Sequence, residues 1–174
     1  MWSVWSSCSN PELANPTDST KILAFNSYDR NVNDRFTYNT RFDFTGYSSL
    51  ELSFLMSHDR GYYTYIEEGV QWQYRTGILP ADWKNIGSKK IRYQPAIAHW
   101  DTETVDFSEL AGKTGVQIGL MGISEYGKNI FIDNISLTGT SPAAVPEAST
   151  LIGFGSALAM AGPGMIGWLR RRRA

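Results

Sequence analysis

From Ile22 to Leu137 apolar and polar positions alternate in short runs of period two, and nowhere does a helical period persist. Leu50, Leu52, Phe54 and Met56 fall on one side of the run 50–57, while Val70, Trp72 and Tyr74 alternate with Gln71, Gln73 and Arg75. Successive strand side chains point to opposite faces, so each run predicts a strand with one face buried. Further strands are predicted at Ile22–Phe25, Phe36–Phe44, Ile91–Tyr93, Thr102–Phe107, Val116–Met121 and Ile130–Leu137, all rich in β-branched and aromatic residues. Turn chemistry separates them at Asp43-Phe44-Thr45-Gly46, Asp59-Arg60-Gly61, Leu79-Pro80-Ala81-Asp82, Ala111-Gly112-Lys113 and Glu125-Tyr126-Gly127-Lys128. Short strands at similar spacing favour an all-β antiparallel sandwich over a parallel sheet.

The alternation stops near residue 140, and a different pattern follows. Leu151 to Leu169 contains no charged residue and no histidine, and Arg170, Arg171, Arg172 and Arg173 come directly after it. As a helix this run would reach about 28 Å, close to the thickness of a bilayer's hydrocarbon core. Arginines at its end would stay on the cytoplasmic side and leave the upstream chain exported. The expected organisation is a β-sandwich ectodomain over 1–139, a linker over 140–149, a single transmembrane helix over 150–169 and a cytoplasmic arginine cluster over 170–174. Five glycines and Pro163 inside the run make a poor permanent helix, which fits a segment meant for processing. The opening residues Met1 to Cys8 have neither a basic n-region nor an apolar h-region, so the expectation is an N-terminally truncated chain.

Val145, Pro146, Glu147 and Ser149, followed by a Gly/Ala/Leu span and a terminal arginine cluster, resemble the PEP-CTERM sorting signal of bacterial envelope proteins. Ala148 stands where that signal usually carries a second proline. The resemblance implies an exosortase as partner, a passage through the membrane, and release or transfer of the exported part to the cell surface. A second resemblance covers about ninety residues. The run 52–62, the strand 70–75 ahead of Trp83, and the closing blocks 104–113, 116–120 and 126–135, which end Ile132-Asp133-Asn134-Ile135, are similar to the jelly-roll ectodomains of choice-of-anchor and MAM-like proteins. It implies a jelly-roll-like sandwich, a non-catalytic binding role toward envelope polysaccharide or protein, and in some members calcium beside an acid such as Asp133.

Charge and chemistry narrow the function. Through residue 146 the chain holds 12 Lys and Arg against 16 Asp and Glu, a net charge of −4 that argues against a nucleic-acid partner. Cys8 is the only cysteine, which rules out an internal disulfide and a cysteine metal cluster. Trp72, Trp83 and Trp100 stand beside several tyrosines, and those at alternating strand positions are expected in the core. Tyr62, Tyr63 and Tyr65, in an expected loop, are the first candidates for a ligand surface. No catalytic residue and no metal ligand set is assigned. Glu67 and Glu68 are adjacent and read as a solvated turn, and His58 and His99 do not have zinc-site spacing. A structural calcium near Asp133, with Asp59 or an acid from a missing start as a further ligand, stands beside the plainer reading of Asp133 as an acid tying a loop by hydrogen bonds. A carbohydrate-active hydrolase on the same scaffold, using His58, Asp59 or an acid pair joined by folding, remains open; convergent carboxylates in a pocket would mark it.

Overall fold

A computed structural model describes residues 1–6, 21–27, 33–58, 68–91, 99–125, 127 and 129–142. Met1–Pro142 forms one compact unit made of strands and two short 3₁₀ turns. The strands are β1 (Trp2–Trp5), β2 (Ile22–Phe25), β3 (Asp34–Phe42), β4 (Ser49–His58), β5 (Gly69–Arg75), β6 (Lys84–Asn85), β7 (Lys90–Ile91), β8 (Asp101–Asp106), β9 (Val116–Ile123) and β10 (Ile130–Thr140). They form two antiparallel sheets. One has the order β1-β2-β10-β4-β8, the other β3-β9-β5-β6 with β7 also on β5. Setting β1 aside, chain order alternates between the sheets from β2 through β5, and again from β8 to β10, which is the two-Greek-key path of a jelly roll.

The predicted alternation is realised at the interface between the sheets. Leu50, Leu52, Phe54 and Met56 of β4 and Ile130 and Ile132 of β10 face Val70, Trp72 and Tyr74 of β5 and Val116, Ile118 and Leu120 of β9, all buried in one cluster. Trp72 lies at its centre, edge-on to Phe54 and Phe107 with centroids 5.6 and 6.1 Å away. Two strands escaped the sequence pattern. β1 and β6 are short edge segments whose extension is set by pairing with β2 and β5, and a stretch of two to four residues carries too little alternation to announce itself. Phe44, expected at the end of a strand, lies beyond β3 in the turn where the Asp43 carboxylate accepts the Thr45 N–H, and it is buried there against Phe42 with the rings stacked 5.7 Å apart.

Candidate ligand-binding face

On β5 and β9 the inward positions fill the core, so Gln71, Gln73 and Arg75 of β5 and Gln117, Gly119 and Met121 of β9 lie on the opposite side of that sheet. Register adds β3 beside them: Arg35 pairs with Met121, Thr37 with Gly119 and Arg41 with Gln117. Three strands distant in sequence thus place arginines and glutamines on one face.

Trp83 lies over this face. It follows the 3₁₀ turn Pro80–Asp82, in which the Asp82 carboxylate accepts the Leu79 N–H at 2.8 Å, and it leads directly into β6, paired to β5 through Lys84 and Asn85. The Arg75 guanidinium donates to the carbonyls of Ile78 and Leu79 and so ties the turn that carries Trp83 to β5. Arg35 and Arg75 stand over the Trp83 ring with Cζ 4.6 and 4.8 Å from its centroid. This is cation–π distance for both. A Cβ at Gly119 would lie 3.0 Å from Trp83 Cη2 and Cζ3 and from Arg35 Cδ, so any side chain there would push the ring or the arginine stem back from β9.

Glutamines lock the arginines in place. Arg35 Nε donates to Gln73 Oε1 at 2.6 Å, Gln73 Nε2 donates to Asn85 Oδ1 at 2.8 Å, and Arg75 Nε donates to Gln117 Oε1 at 2.9 Å. Gln117 Nε2 donates in turn to the Tyr38 carbonyl, at the place where the β3–β9 register shifts and the ladder is interrupted. The three arginines differ in what remains free. Arg41 gives both terminal nitrogens to the carbonyls of Thr76, Gly77 and Gly115, and Arg75 gives Nε to Gln117 and Nη1 to the carbonyls of Ile78 and Leu79. Arg35 uses only Nε, and among the described residues its two terminal nitrogens have no acceptor. Burial first, and the like charge of Arg75 second, hold the Arg35 guanidinium below its ordinary pKa.

The outer face of the other sheet is different. A groove of about 500 Å³ is lined by Ser49, Glu51, Asp106, Ser108, Thr138 and Thr140. Glu51 and Asp106 are direct partners on β4 and β8. Hydrogen bonds from the Ser108 hydroxyl and backbone hold Asp106 below the usual carboxylate range. A general acid needs its carboxyl protonated near neutral pH, the opposite direction.

The residues singled out in the sequence separate as follows. Trp72 and Tyr74 are core, and Trp5 and Trp100 pack on a small apolar cluster of Ile22, Ala24 and Phe131. Glu68 is not on a solvated turn. It is 1 % exposed, and its Oε1 accepts the Gly127 N–H at 2.8 Å in a space that a side chain at residue 127 would fill. His58 is buried at the end of β4, whereas His99 is exposed and pairs with Asp101 at 3.0 Å. Asp133 starts the irregularity between β10 and β4, its Oδ1 accepting the Asn134 N–H at 2.7 Å while Asn134 takes φ +47°. Among the described residues no group of three or more His, Cys, Asp or Glu is placed to hold a metal. Asp59, Tyr62, Tyr63, Tyr65, Val145, Pro146, Glu147, Ser149 and Arg170 to Arg173 lie outside the described residues, as does the run 151–169; among those described, no helix is long and apolar enough to cross a membrane.

No family model matches the chain, and no curated protein matches it. Among solved structures, TmCBM61 in complex with β-1,4-galactotriose is 12% identical with a TM-score of 0.49, covering 80% of this chain and 82% of that one. The CBM22-2 xylan-binding domain of Xyn10C from Paenibacillus barcinonensis is 13% identical, with a TM-score of 0.49 and coverage of 80% and 87%. The K3 cleaved adhesin domain of Lys-gingipain from Porphyromonas gingivalis is 13% identical, with a TM-score of 0.48 and coverage of 80% and 91%. No residue of the Trp83 face is assigned from them.

Proposed function

We propose that this chain is an exported, non-enzymatic envelope or matrix protein whose sandwich binds polysaccharide through the Trp83 face. The observation that carries the reading is Trp83 itself, a half-buried indole braced by two guanidinium groups that the planar amides of Gln73 and Gln117 hold in place. Rings offer flat apolar area to sugar faces, and amides and guanidinium groups match hydroxyls, so the two together favour a glycan over a purely apolar ligand. Exposed Ile78 and Leu79 extend the apolar area on the same turn. Tyr62, Tyr63 and Tyr65 are proposed as a further contact. In affinity electrophoresis through gels containing envelope polysaccharide, the wild-type chain is expected to be retarded and Trp83→Ala to migrate freely; equal retardation of both would remove the reading.

Delivery to the surface is proposed to follow the C-terminal signal, with the tail held in the membrane until an exosortase acts near Pro146 and Glu147. Mass spectrometry of the mature C-terminus should find the tail intact in cells lacking the exosortase and removed in cells that have it. An intact Arg173-Ala174 end in both would leave plain membrane anchoring. The hydrolase reading has one observation in its favour, the Glu51 and Asp106 pair, and the depressed Asp106 carboxyl weighs against it.

A further inference from the structure

The Trp83 face has the opposite sign to the domain that carries it. Through residue 146 the chain has a net charge of −4, yet the outward positions of β3 and β5 present Arg35, Arg41 and Arg75. Among the described residues no carboxylate forms an ion pair with any of the three, and Asp82, the acid on the adjoining turn, is engaged with the Leu79 N–H. Arg41 gives both terminal nitrogens to carbonyls of its own surroundings, and Arg75 gives Nε and Nη1 to an amide and two carbonyls, so each is largely explained by what it holds. Arg35 is not. Its stem crosses β9 at Gly119, its Nε is anchored on Gln73 of β5, and its fork is left without an acceptor beside the indole.

Resting on the polysaccharide reading above, we propose that the glycan bound here is acidic and that the free fork of Arg35 takes a uronate carboxylate while the sugar ring lies against Trp83. A planar fork with two terminal nitrogens matches the two oxygens of a carboxylate, which a neutral sugar does not offer. Fixing Nε and stacking the guanidinium on a ring remove much of the freedom that a surface arginine would lose on binding. The like charge of Arg75 near the same ring acts in the same direction, because an anion on Arg35 offsets the repulsion the two cations share.

The test uses a matched pair of polymers, polygalacturonate and its fully methyl-esterified form, which share a backbone and differ in the carboxylate. Isothermal titration of the full-length chain in detergent at low salt is expected to give about tenfold tighter binding to the acid than to the ester. Arg35→Met, which keeps the stem over Gly119, and Arg35→Lys, which keeps the charge but not the fork, should both bring the acid to the level of the ester while still unfolding in a single cooperative thermal transition. Equal affinity of the wild type for acid and ester overturns the acidic-ligand proposal and leaves polysaccharide binding standing, and an unchanged preference in Arg35→Met overturns Arg35 as the residue that takes the carboxylate. Loss of the preference in Arg35→Met but not in Arg35→Lys overturns the fork and reduces the proposal to charge alone. If the wild type binds neither polymer nor any envelope polysaccharide, both readings fall together.

Discussion

The two outer faces of this sandwich are built by the same alternation and end up unlike. Along the groove on the β10-β4-β8 side the outward side chains are mostly short hydroxyls, Ser49, Ser108, Thr138 and Thr140, beside the carboxylates Glu51 and Asp106, and the Thr138 hydroxyl is satisfied by the Glu51 carbonyl. On the β3-β9-β5 side they are long and planar, and they bond one another and brace an indole. Short hydroxyls leave a hydrated, carboxylate-lined groove. Long side chains fixed by mutual hydrogen bonds make a surface already ordered before a ligand arrives, which lowers the entropy lost on binding. Polarity alone therefore does not order a face; hydrogen bonding among its own side chains does.

The comparison can be broken most severely from below. Trp72→Ala removes the central ring of the shared core and should cost about 3–5 kcal/mol in urea unfolding, taking both faces down in one transition. Two separate transitions would mean that the faces do not share a core. Next, adding bulk at the centre of each face should separate them. Gly119→Leu displaces Trp83 and Arg35 and is expected to weaken polysaccharide binding by about tenfold or more, whereas Ser53→Leu on the other sheet should leave the affinity unchanged. Equal losses in titration would show that the ligand does not distinguish the faces.

A smaller effect concerns the edge where the sheets meet. Lys90 on β7 and Glu103 on β8 form a half-exposed ion pair at 2.8 Å between the two sheets, and Glu103→Gln should lower stability by at most about 1 kcal/mol, with the difference fading in high salt. The smallest effect sharpens the acidic side. Asp106 has a depressed pKa in the folded chain, so its contribution is present above its ordinary value of 3.8 and is lost as pH falls through the lower folded value. The melting temperatures of wild type and Asp106→Asn should therefore differ at pH 7 and converge in acid. A gap that widened on acidification would contradict the Ser108 hydrogen bonds as its cause.

Much of the architecture was legible because a two-residue period with one apolar side has few other solutions. The run 50–57 and the run 70–75 were placed on β4 and β5, and Ile22–Phe25 matches β2 to the residue. Glu68 was misread because a lone acid beside Glu67 gives no sign of its partner, the N–H of Gly127, 59 residues away. The Trp83 face was partly visible. Trp83 stood out as an aromatic, and Gln73 and Arg75 stood at outward positions, but Arg35 carried no local signal that set it apart from other surface arginines.

Composition and alternation, read along the chain, determined that this protein would be a β-sandwich with an apolar interior, because burial depends on which residues are apolar and on their spacing. They also marked the C-terminal run and its arginines as a separate kind of segment. Only the tertiary structure decided which polar residues would meet. Strand order puts β3, β9 and β5 side by side, so Arg35, Gly119, Gln73 and Trp83 become neighbours across as many as 84 positions of chain. Hydrogen bonds and ring stacking act over a few ångströms, and no one-dimensional pattern encodes distances of that kind between distant strands.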